Sequence, residues 1–400
     1  MNNSELLKLI TRERPVGTET NAEILNYLEQ EFMDTGYEVT SLPFDCVVWK
    51  HKKSKMKVEN IELEINPSPF SKPFNGSGKA VIIEYLKQLQ NQNLSGKIIV
   101  LCGGLTERPL QPKDFPFYYP DEDKVIISLL ESQKPKAIIC ITGKSQLNGM
   151  NPFAMFEDGN FSIPSAYMSV DILPQLKKLI NKSKVISLSI NSENIMARSR
   201  QLVAHKKAIN SKRKIVICAH MDTKYNTLGA LDNSTGVCVL MKIMNYFKQV
   251  SYPINIDFVP FNSEEYFGAN GEVNYLNYIN NNENENEILL VVNIDSPCHI
   301  NSQTAISYYN MDANIQSIIN SIIERHKNIV KGNEWYAGDH CAFALKGIPC
   351  LAVTSSDLFD GALEYTHTPK DTLNTIDLQL ITTTAKFISD VIKKLDLNFN

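Results

Sequence analysis

The stretch KIVICAHMDTKYNTLGALDN, residues 214–233, decides the fold of this chain. It opens with the apolar run 215–219, which is short and rich in β-branched side chains and therefore predicts a buried strand. His220 ends this run, Asp222 follows two residues later, and a loop leads to Asp232 at the start of a helix. Imidazole and carboxylate groups beside an apolar strand are costly to bury alone, and a metal ion is the partner that suits all three.

The composition is that of an ordinary globular chain. Its 400 residues allow one large domain or two, its hydrophobic content is 43%, and its net charge of −4 comes from dispersed charges of both signs. We therefore expect no nucleic acid and no membrane as a partner. The first residues contain no apolar signal segment and no run of about 18 apolar residues occurs, so we expect a cytoplasmic protein. The eight cysteines form no CxxC pair and are expected to be mostly buried thiols.

The sequence pattern changes between residues 58 and 195, where strand-like runs recur and no histidine occurs. We predict that 58–195 is an inserted domain, a lid or spacer without chemistry of its own. The catalytic domain is then formed by 1–57 together with 196–400. The insert is expected to contain strands at 80–83, 97–101, 137–141 and 185–188 and helices near 123–131 and 171–181.

The remainder of the chain alternates strand and helix patterns. Apolar strands are predicted at 254–261 and 288–294, with helical spacing between them and a final helix from about 377 to 395. Alternation of this kind predicts an α/β fold with a mixed, mostly parallel central sheet and helices on both faces.

Acidic residues follow two further strands of this predicted sheet. Glu264 and Glu265 follow 254–261, and Asp295 follows 288–294. Ligands of open α/β sheets bind outside the carboxyl ends of the strands. Three strands are thus expected to deliver polar groups to one edge, where His367 is available to complete a cluster.

Each of these residues has an ordinary explanation when taken singly. Asp232 suits a helix N-cap, Glu264 and Glu265 suit a first helical turn, and His367 alone is more often a structural histidine. At a single sheet edge, however, several carboxylates would repel one another without cations.

Counting the groups gives a site for two metals. Five ligands with one bridging carboxylate provide three protein ligands for each ion: His220, Asp232, Glu265, Asp295 and His367. Nitrogen and oxygen donors without thiolate fit Zn²⁺, with Co²⁺ or Mn²⁺ as possible substitutes. Asp222 would then orient His220 through its other ring nitrogen, and Glu264 is left as the general base.

Six ordered motifs give the chain a family resemblance. They are Ala219-His220-Met221-Asp222, Gly229-Ala230-Leu231-Asp232-Asn233, Ser263-Glu264-Glu265, Asn293-Ile294-Asp295, Gly338-Asp339-His340 and His367-Thr368-Pro369. With them the sequence resembles the clan MH di-zinc aminopeptidases, the bacterial leucyl aminopeptidases and their relatives. The phrase Arg14-Pro15-Val16-Gly17-Thr18 is similar to the N-terminus of that family, and the insert resembles its protease-associated domain.

The resemblance implies a fold, a ligand assignment and an activity. One zinc would take His220, Asp232 and Asp295, and the other would take Asp232, Glu265 and His367, with Asp232 bridging. Members often place an aromatic residue directly before the last histidine. Here Thr366 stands there, and Tyr365, one residue further back, is the residue predicted to assist at the oxyanion.

We therefore expect a metallo-aminopeptidase acting on peptides with a free N-terminus, with a homo-oligomer left open. Its side-chain pocket is predicted among four aromatic residues, Tyr225, Phe267, Trp335 and Tyr336. Three alternatives remain: a single-zinc glutaminyl cyclase, a carboxypeptidase or dipeptidase of the same clan, and a non-catalytic peptide-binding relative.

Overall fold

The computed structural model describes residues 3–209, 211–282 and 287–396. These residues form two compact units. One consists of Met1–Asp45 and Arg198–Asn400, and the other of Cys46–Ala197.

The helices and strands follow the predicted alternation. The helices are α1 Asn3–Ile10, α2 Glu19–Thr35, α3 Leu86–Asn91, α4 Asp121–Gln133, α5 Leu173–Lys182, α6 Thr235–Phe247, α7 Asn270–Asn282, α8 Ala313–Ile323, α9 His340–Ala344 and α10 Leu378–Asp396. The strands are β1 Glu38–His51, β2 Ser54–Val58, β3 Ile61–Pro67, β4 Phe74–Ile83, β5 Ile98–Leu101, β6 Ala137–Thr142, β7 Ser165–Ser169, β8 Val185–Ile190, β9 Ser192–Lys206, β10 Arg213–His220, β11 Asn255–Phe261, β12 Glu287–Ile294, β13 Thr304–Tyr309, β14 Ile329–Lys331 and β15 Cys350–Ser355. None of the helices in the described ranges is long and apolar enough to cross a membrane.

The larger sheet has eight strands in the order β1-β9-β11-β10-β12-β15-β13-β14. Its centre is parallel, because β10 pairs in parallel with both β11 and β12, and β12 pairs in parallel with β15. Strands β9 and β13 join this centre in antiparallel orientation. The prediction of a mixed, mostly parallel sheet is confirmed.

Helices cover both faces of this sheet. Ile215 and Ile217 of β10 join a buried core that also contains residues of α2, α6 and α10. Side chains alternate along a strand, so the intervening residues of β10 face the other side. On that side, Phe261 packs against Tyr275 of α7 and Phe343 of α9, with ring centroids 5.7 and 6.3 Å away.

The second unit is a closed barrel in the order β2-β3-β7-β6-β5-β4-β8. The pairs β4–β5, β5–β6 and β6–β7 are parallel, and the other pairs of the barrel are antiparallel. The four strands predicted in this region correspond to β4, β5, β6 and β8, with β5 beginning one residue later than predicted. Their apolar runs form the interior of the barrel and a second core beneath α4.

Candidate metal centre

The carboxyl ends of three neighbouring strands bring the predicted ligands together. β10 ends at His220 and lies between β11, which precedes Glu264 and Glu265, and β12, which precedes Asp295. Cys218 of β10 is opposite Asn293 of β12. With this register, the polar residues that follow the two strands lie at the same edge of the sheet.

Asp232 lies at the centre of the cluster. Its Oδ1 is 2.9 Å from Nε2 of His220, and its Oδ2 is 3.3 Å from Nε2 of His367. His220 Nε2 is also 3.6 Å from Asp295 Oδ1, and His367 Nε2 is 2.8 Å from Glu265 Oε1. Two groups of three residues therefore share Asp232, and within each group the nearest donor atoms lie within 4.8 Å of one another.

Asp222 and Glu264 flank this cluster. Asp222 Oδ1 is 3.8 Å from Nδ1 of His220, on the side of the ring that faces away from Asp232. Asp222 Oδ2 accepts the main-chain N–H of Glu265 at 3.1 Å, so this carboxylate supports two of the predicted ligands. Glu264 forms a third close group with His220 and Glu265.

The segment that carries Asp232 is held by its main chain. Asp371 accepts the N–H groups of Leu231 and Asp232 at 2.7 and 3.0 Å. The peptide bond between Asp232 and Asn233 is cis. The amide of Asn233 donates to the carbonyl of Ile294 at 2.8 Å, which ties this segment to the end of β12.

Arg14 is a buried residue that holds the main chain near the cluster, a role that the sequence pattern does not reveal. Its side chain is only 1% exposed and donates to four main-chain carbonyls, those of Met221, Leu228, Gly229 and Arg12, at 2.5, 2.8, 3.1 and 3.1 Å. The first three carbonyls belong to the loop that joins His220 to Asp232. Because its partners are main-chain atoms, no side-chain motif marks this role in the sequence.

The electrostatics of the cluster favour cations. Burial lowers the pKa of His220 and His367, but the adjacent carboxylates outweigh it and raise both pKa values well above the ordinary value. Burial raises the pKa of Asp232, but the two imidazoles outweigh it and lower that pKa far below its usual range. Burial raises the pKa of Glu264 well above its usual value, and the neighbouring carboxylates add to the shift although His220 opposes it.

Aromatic residues predicted near the site lie in varied surroundings. The ring of Tyr365 packs against His299 with centroids 5.4 Å apart, and the described contacts do not join it to the five predicted ligands. Trp335 is buried against His340 at 4.4 Å, Phe267 packs on its neighbour in the chain, and Tyr336 is 74% exposed.

The donor set fits a pair of divalent ions. It consists of two imidazole nitrogens and the oxygens of three carboxylates, arranged as two sets of three around one shared residue. Nitrogen and oxygen donors of this kind suit zinc and the metals that replace it. The other ring nitrogen of each histidine has no hydrogen-bond partner among the described residues, so neither imidazole is held in another role.

Comparison with known proteins relates this chain to a class of peptidases. Residues 201–392, which include all five predicted ligands, match the sequence profile of peptidase family M28. The segment 201–392 is therefore similar to peptidase family M28. No curated protein sequence matches the chain.

Solved structures with the same fold come from bacterial peptidases. An aminopeptidase from an Aneurinibacillus strain is 18% identical with a TM-score of 0.76, over 98% of this chain and 93% of the other. A zinc aminopeptidase from Bacillus subtilis is 17% identical with a TM-score of 0.76, over 98% and 94%. A peptidase M28 precursor from Shewanella amazonensis is 18% identical with a TM-score of 0.68, over 97% and 90%. At these identities the likeness is one of fold.

Proposed function

We propose that this protein is a metallo-aminopeptidase that removes the N-terminal residue from peptides. The observation that carries the proposal is the position of Asp232, whose two oxygens face His220 and His367 separately. One carboxylate between two imidazoles is the arrangement that a bridging ligand requires. The matches to the Aneurinibacillus and Bacillus subtilis aminopeptidases support the same activity.

The proposed ligand sets follow the two groups of close donor atoms. His220, Asp232 and Asp295 would hold one zinc ion, and Asp232, Glu265 and His367 would hold the other. Co²⁺ or Mn²⁺ would be able to substitute. When bound, the ions supply Lewis acidity for the scissile carbonyl and lower the pKa of water. Asp222 would orient His220 by accepting a hydrogen bond from Nδ1.

Glu264 is the proposed general base. It is part-exposed and belongs to a close group with two predicted ligands, His220 and Glu265. Burial raises the pKa of Glu264 above its usual value, which makes this carboxylate a better acceptor for the proton of a water molecule. Glu264 would take a proton from the attacking water and pass it to the departing amine.

The same proposal implies where the substrate binds. The free α-amino group of a peptide would bind at the carboxylate edge of the cluster.

The cytoplasmic location, a homo-oligomer and the assistance of Tyr365 at the oxyanion remain predictions. Tyr365→Phe tests the last of these, because loss of an oxyanion contact lowers kcat more than it raises KM.

The test is hydrolysis of a panel of aminoacyl-p-nitroanilides by the zinc-loaded protein, each beside its N-acetylated twin. We expect release only from free-amine substrates and two metals per chain. Glu264→Gln should keep both metals and lower kcat by about 10²- to 10⁴-fold. Glu23→Gln is the matched control, because Glu23 is 55% exposed and pairs with Arg12 on the surface.

The outcomes separate the alternatives. Equal cleavage of acetylated twins would contradict the need for a free amine. No release with two metals bound would overturn the aminopeptidase proposal in favour of a carboxypeptidase, a dipeptidase or a binding protein. One metal per chain would favour the single-zinc cyclase.

A further inference from the structure

Two buried carboxyl groups lie beside the turn that carries Glu264 and Glu265. Glu272, in the first turn of α7, is 2% exposed, and Asp339, directly before α9, is 3% exposed. Oε1 of Glu272 and both carboxyl oxygens of Asp339 are buried and accept no hydrogen bond from a donor among the described residues. The mechanism proposed above gives neither group a role.

Glu272 is joined directly to this turn. Ser263, which precedes Glu264, donates its hydroxyl to Oε2 of Glu272 at 2.7 Å. The same hydroxyl oxygen accepts the main-chain N–H of Gly271 at 2.6 Å. The two segments approach closely, since a Cβ at Gly271 would lie 3.1 Å from this hydroxyl oxygen and 3.0 Å from the carbonyl oxygen of Asn262. The first turn of α7 therefore fixes the residue next to the proposed general base.

The two carboxyl groups lie within side-chain hydrogen-bond reach of each other. Two carboxylates at that distance repel each other when both are charged, whereas a proton between them removes the repulsion and forms a hydrogen bond. Burial raises the pKa of Asp339 well above its usual value, and the charge of Glu272 adds to this shift. Burial also raises the pKa of Glu272, although the hydrogen bond from Ser263 opposes it.

The titratable groups around the pair leave it dependent on that proton. They come from β10, from the loops after β10 and β11, and from α9: Cys218, His220, Asp222, Glu264 and Cys341. Burial raises the pKa values of both thiols, so the thiols are uncharged. Two of the other groups are acids, and His220 is a neutral imidazole when it binds a metal. None of these five groups therefore supplies a positive charge to the pair in the metal-loaded protein.

We propose that Glu272 and Asp339 share one proton and together position the turn 263–265, and with it Glu264, for proton transfer. The inference rests on the proposed function, in which Glu264 is the general base. The pair acts on the first residue of the turn, while Asp222 accepts the main-chain N–H of its last residue. The turn is thus held at both ends, and Glu272 and Asp339 are positioning residues.

The first experiment measures kcat and KM of the zinc-loaded protein with the aminoacyl-p-nitroanilide that the wild type cleaves fastest. Glu272→Ala removes the acceptor of Ser263 and should lower kcat by about 10²-fold with KM and both zinc ions retained, since a catalytic group displaced by about 1 Å loses that much rate. In Glu272→Gln, the amide accepts from Ser263 and donates to Asp339, so most of kcat should be recovered. Glu324→Gln is the matched control, because Glu324 is exposed at the end of α8.

The second experiment tests the shared proton without relying on activity. The folded pair retains a proton that an unfolded glutamate has lost above about pH 4.3. The free energy of unfolding therefore falls as the pH rises toward the folded pKa, and the unfolding constant grows about tenfold per pH unit from this proton. Glu272→Gln needs no such proton. Urea unfolding of the zinc-loaded proteins from about pH 6 upward should give slopes that differ by about one proton between wild type and Glu272→Gln.

Three results would overturn the inference. Equal slopes in the wild type and Glu272→Gln would refute the shared proton. Wild-type kcat in Glu272→Ala with both zinc ions bound would refute the positioning of Glu264, and loss of zinc from that variant would assign Glu272 to the ligand Glu265 instead. Should Glu272→Ala not fold, Ser263→Ala removes the same hydrogen bond and should lower kcat in the same way. If the wild type cleaves no substrate, the proposed function fails, and the slopes still decide whether the pair holds a proton.

Discussion

Replacing Arg14 with methionine should destabilise the protein and weaken its hold on metal together. The arginine donates to four main-chain carbonyls, three of which lie in the loop between His220 and Asp232. Methionine retains most of the apolar stem but has no donor. Arg14→Met would therefore remove one donor from each of these carbonyls, of which that of Gly229 still accepts from Ser234. It would also release the loop that fixes the spacing of two predicted ligands.

The magnitude follows from the number and type of bonds. A hydrogen bond to a charged group contributes about 1.5–3 kcal/mol, but four bonds made by one side chain are not additive. Burying the guanidinium is also costly, since burial lowers the pKa of Arg14 to about 10. The net loss should be about 3–5 kcal/mol, as for other removals of one member of a buried polar network. For a unit of this size, that corresponds to a Tm lower by about 10 °C.

Two assays measure the two effects separately. Urea unfolding of the metal-free protein gives the change in free energy of unfolding, and competition with a chelator gives zinc affinity. Arg14→Lys keeps the charge but not the planar fork and should recover part of both losses. Arg12→Met is the matched control, because Arg12 is 40% exposed and pairs with Glu23 on the surface, where such pairs contribute at most about 1 kcal/mol. A loss below about 1 kcal/mol in Arg14→Met, with unchanged zinc affinity, would refute the reasoning.

Two further predictions concern pH. Burial opposes ionisation of Asp257, but its contacts with His205 and Lys214 at 2.8 and 2.7 Å outweigh burial and lower its pKa. A depressed pKa gives stability that is present above the unfolded value of about 3.9 and lost as the pH falls toward the folded value. Asp257→Asn should thus lose about 3–5 kcal/mol at pH 7, and its stability should fall less than that of the wild type on acidification below pH 4, as measured by urea unfolding. Burial lowers the pKa of His340 to about 4, so between pH 6.5 and 4 only the unfolded chain takes up its proton and the free energy of unfolding falls. His340→Gln should flatten that dependence, and an unchanged slope would contradict the buried, neutral state of His340.

Three members of the ligand cluster were predictable because each follows a strong local pattern. Short β-branched runs identified β10, β11 and β12, and parallel strands necessarily end at one edge. The polar residues after them, His220, Glu265 and Asp295, therefore had to lie near one another. The structure brings these residues together with Asp232 and His367 in the two groups that the family resemblance implied.

The supporting contacts were not predictable, because they depend on tertiary structure. Arg14 is more than 200 residues from the carbonyls of Met221 and Gly229. Asp371 contacts the main chain of the Asp232 segment, which carries no side-chain signature. Closure of the insert into a barrel and the antiparallel entry of β13 depend on pairing between distant strands, which hydrophobic periodicity does not specify.

A comparison of Asp257 with two aspartates of the cluster shows why we expect the cluster to bind ions from solution. Asp257 is neutralised within the protein by Lys214 at 2.7 Å, so its charge is a structural feature. Asp232 and Asp295 receive no lysine or arginine among the described residues, although they lie close together around one imidazole. Lys224 reaches only the outer edge of the cluster. Carboxylates that lie this close together repel one another unless cations bind between them. Divalent ions neutralise them with fewer bound ions than monovalent ions would need. In the metal-free protein the carboxylates raise the pKa values of His220 and His367, so the two imidazoles offset part of this repulsion. We expect bound divalent ions to offset it more fully.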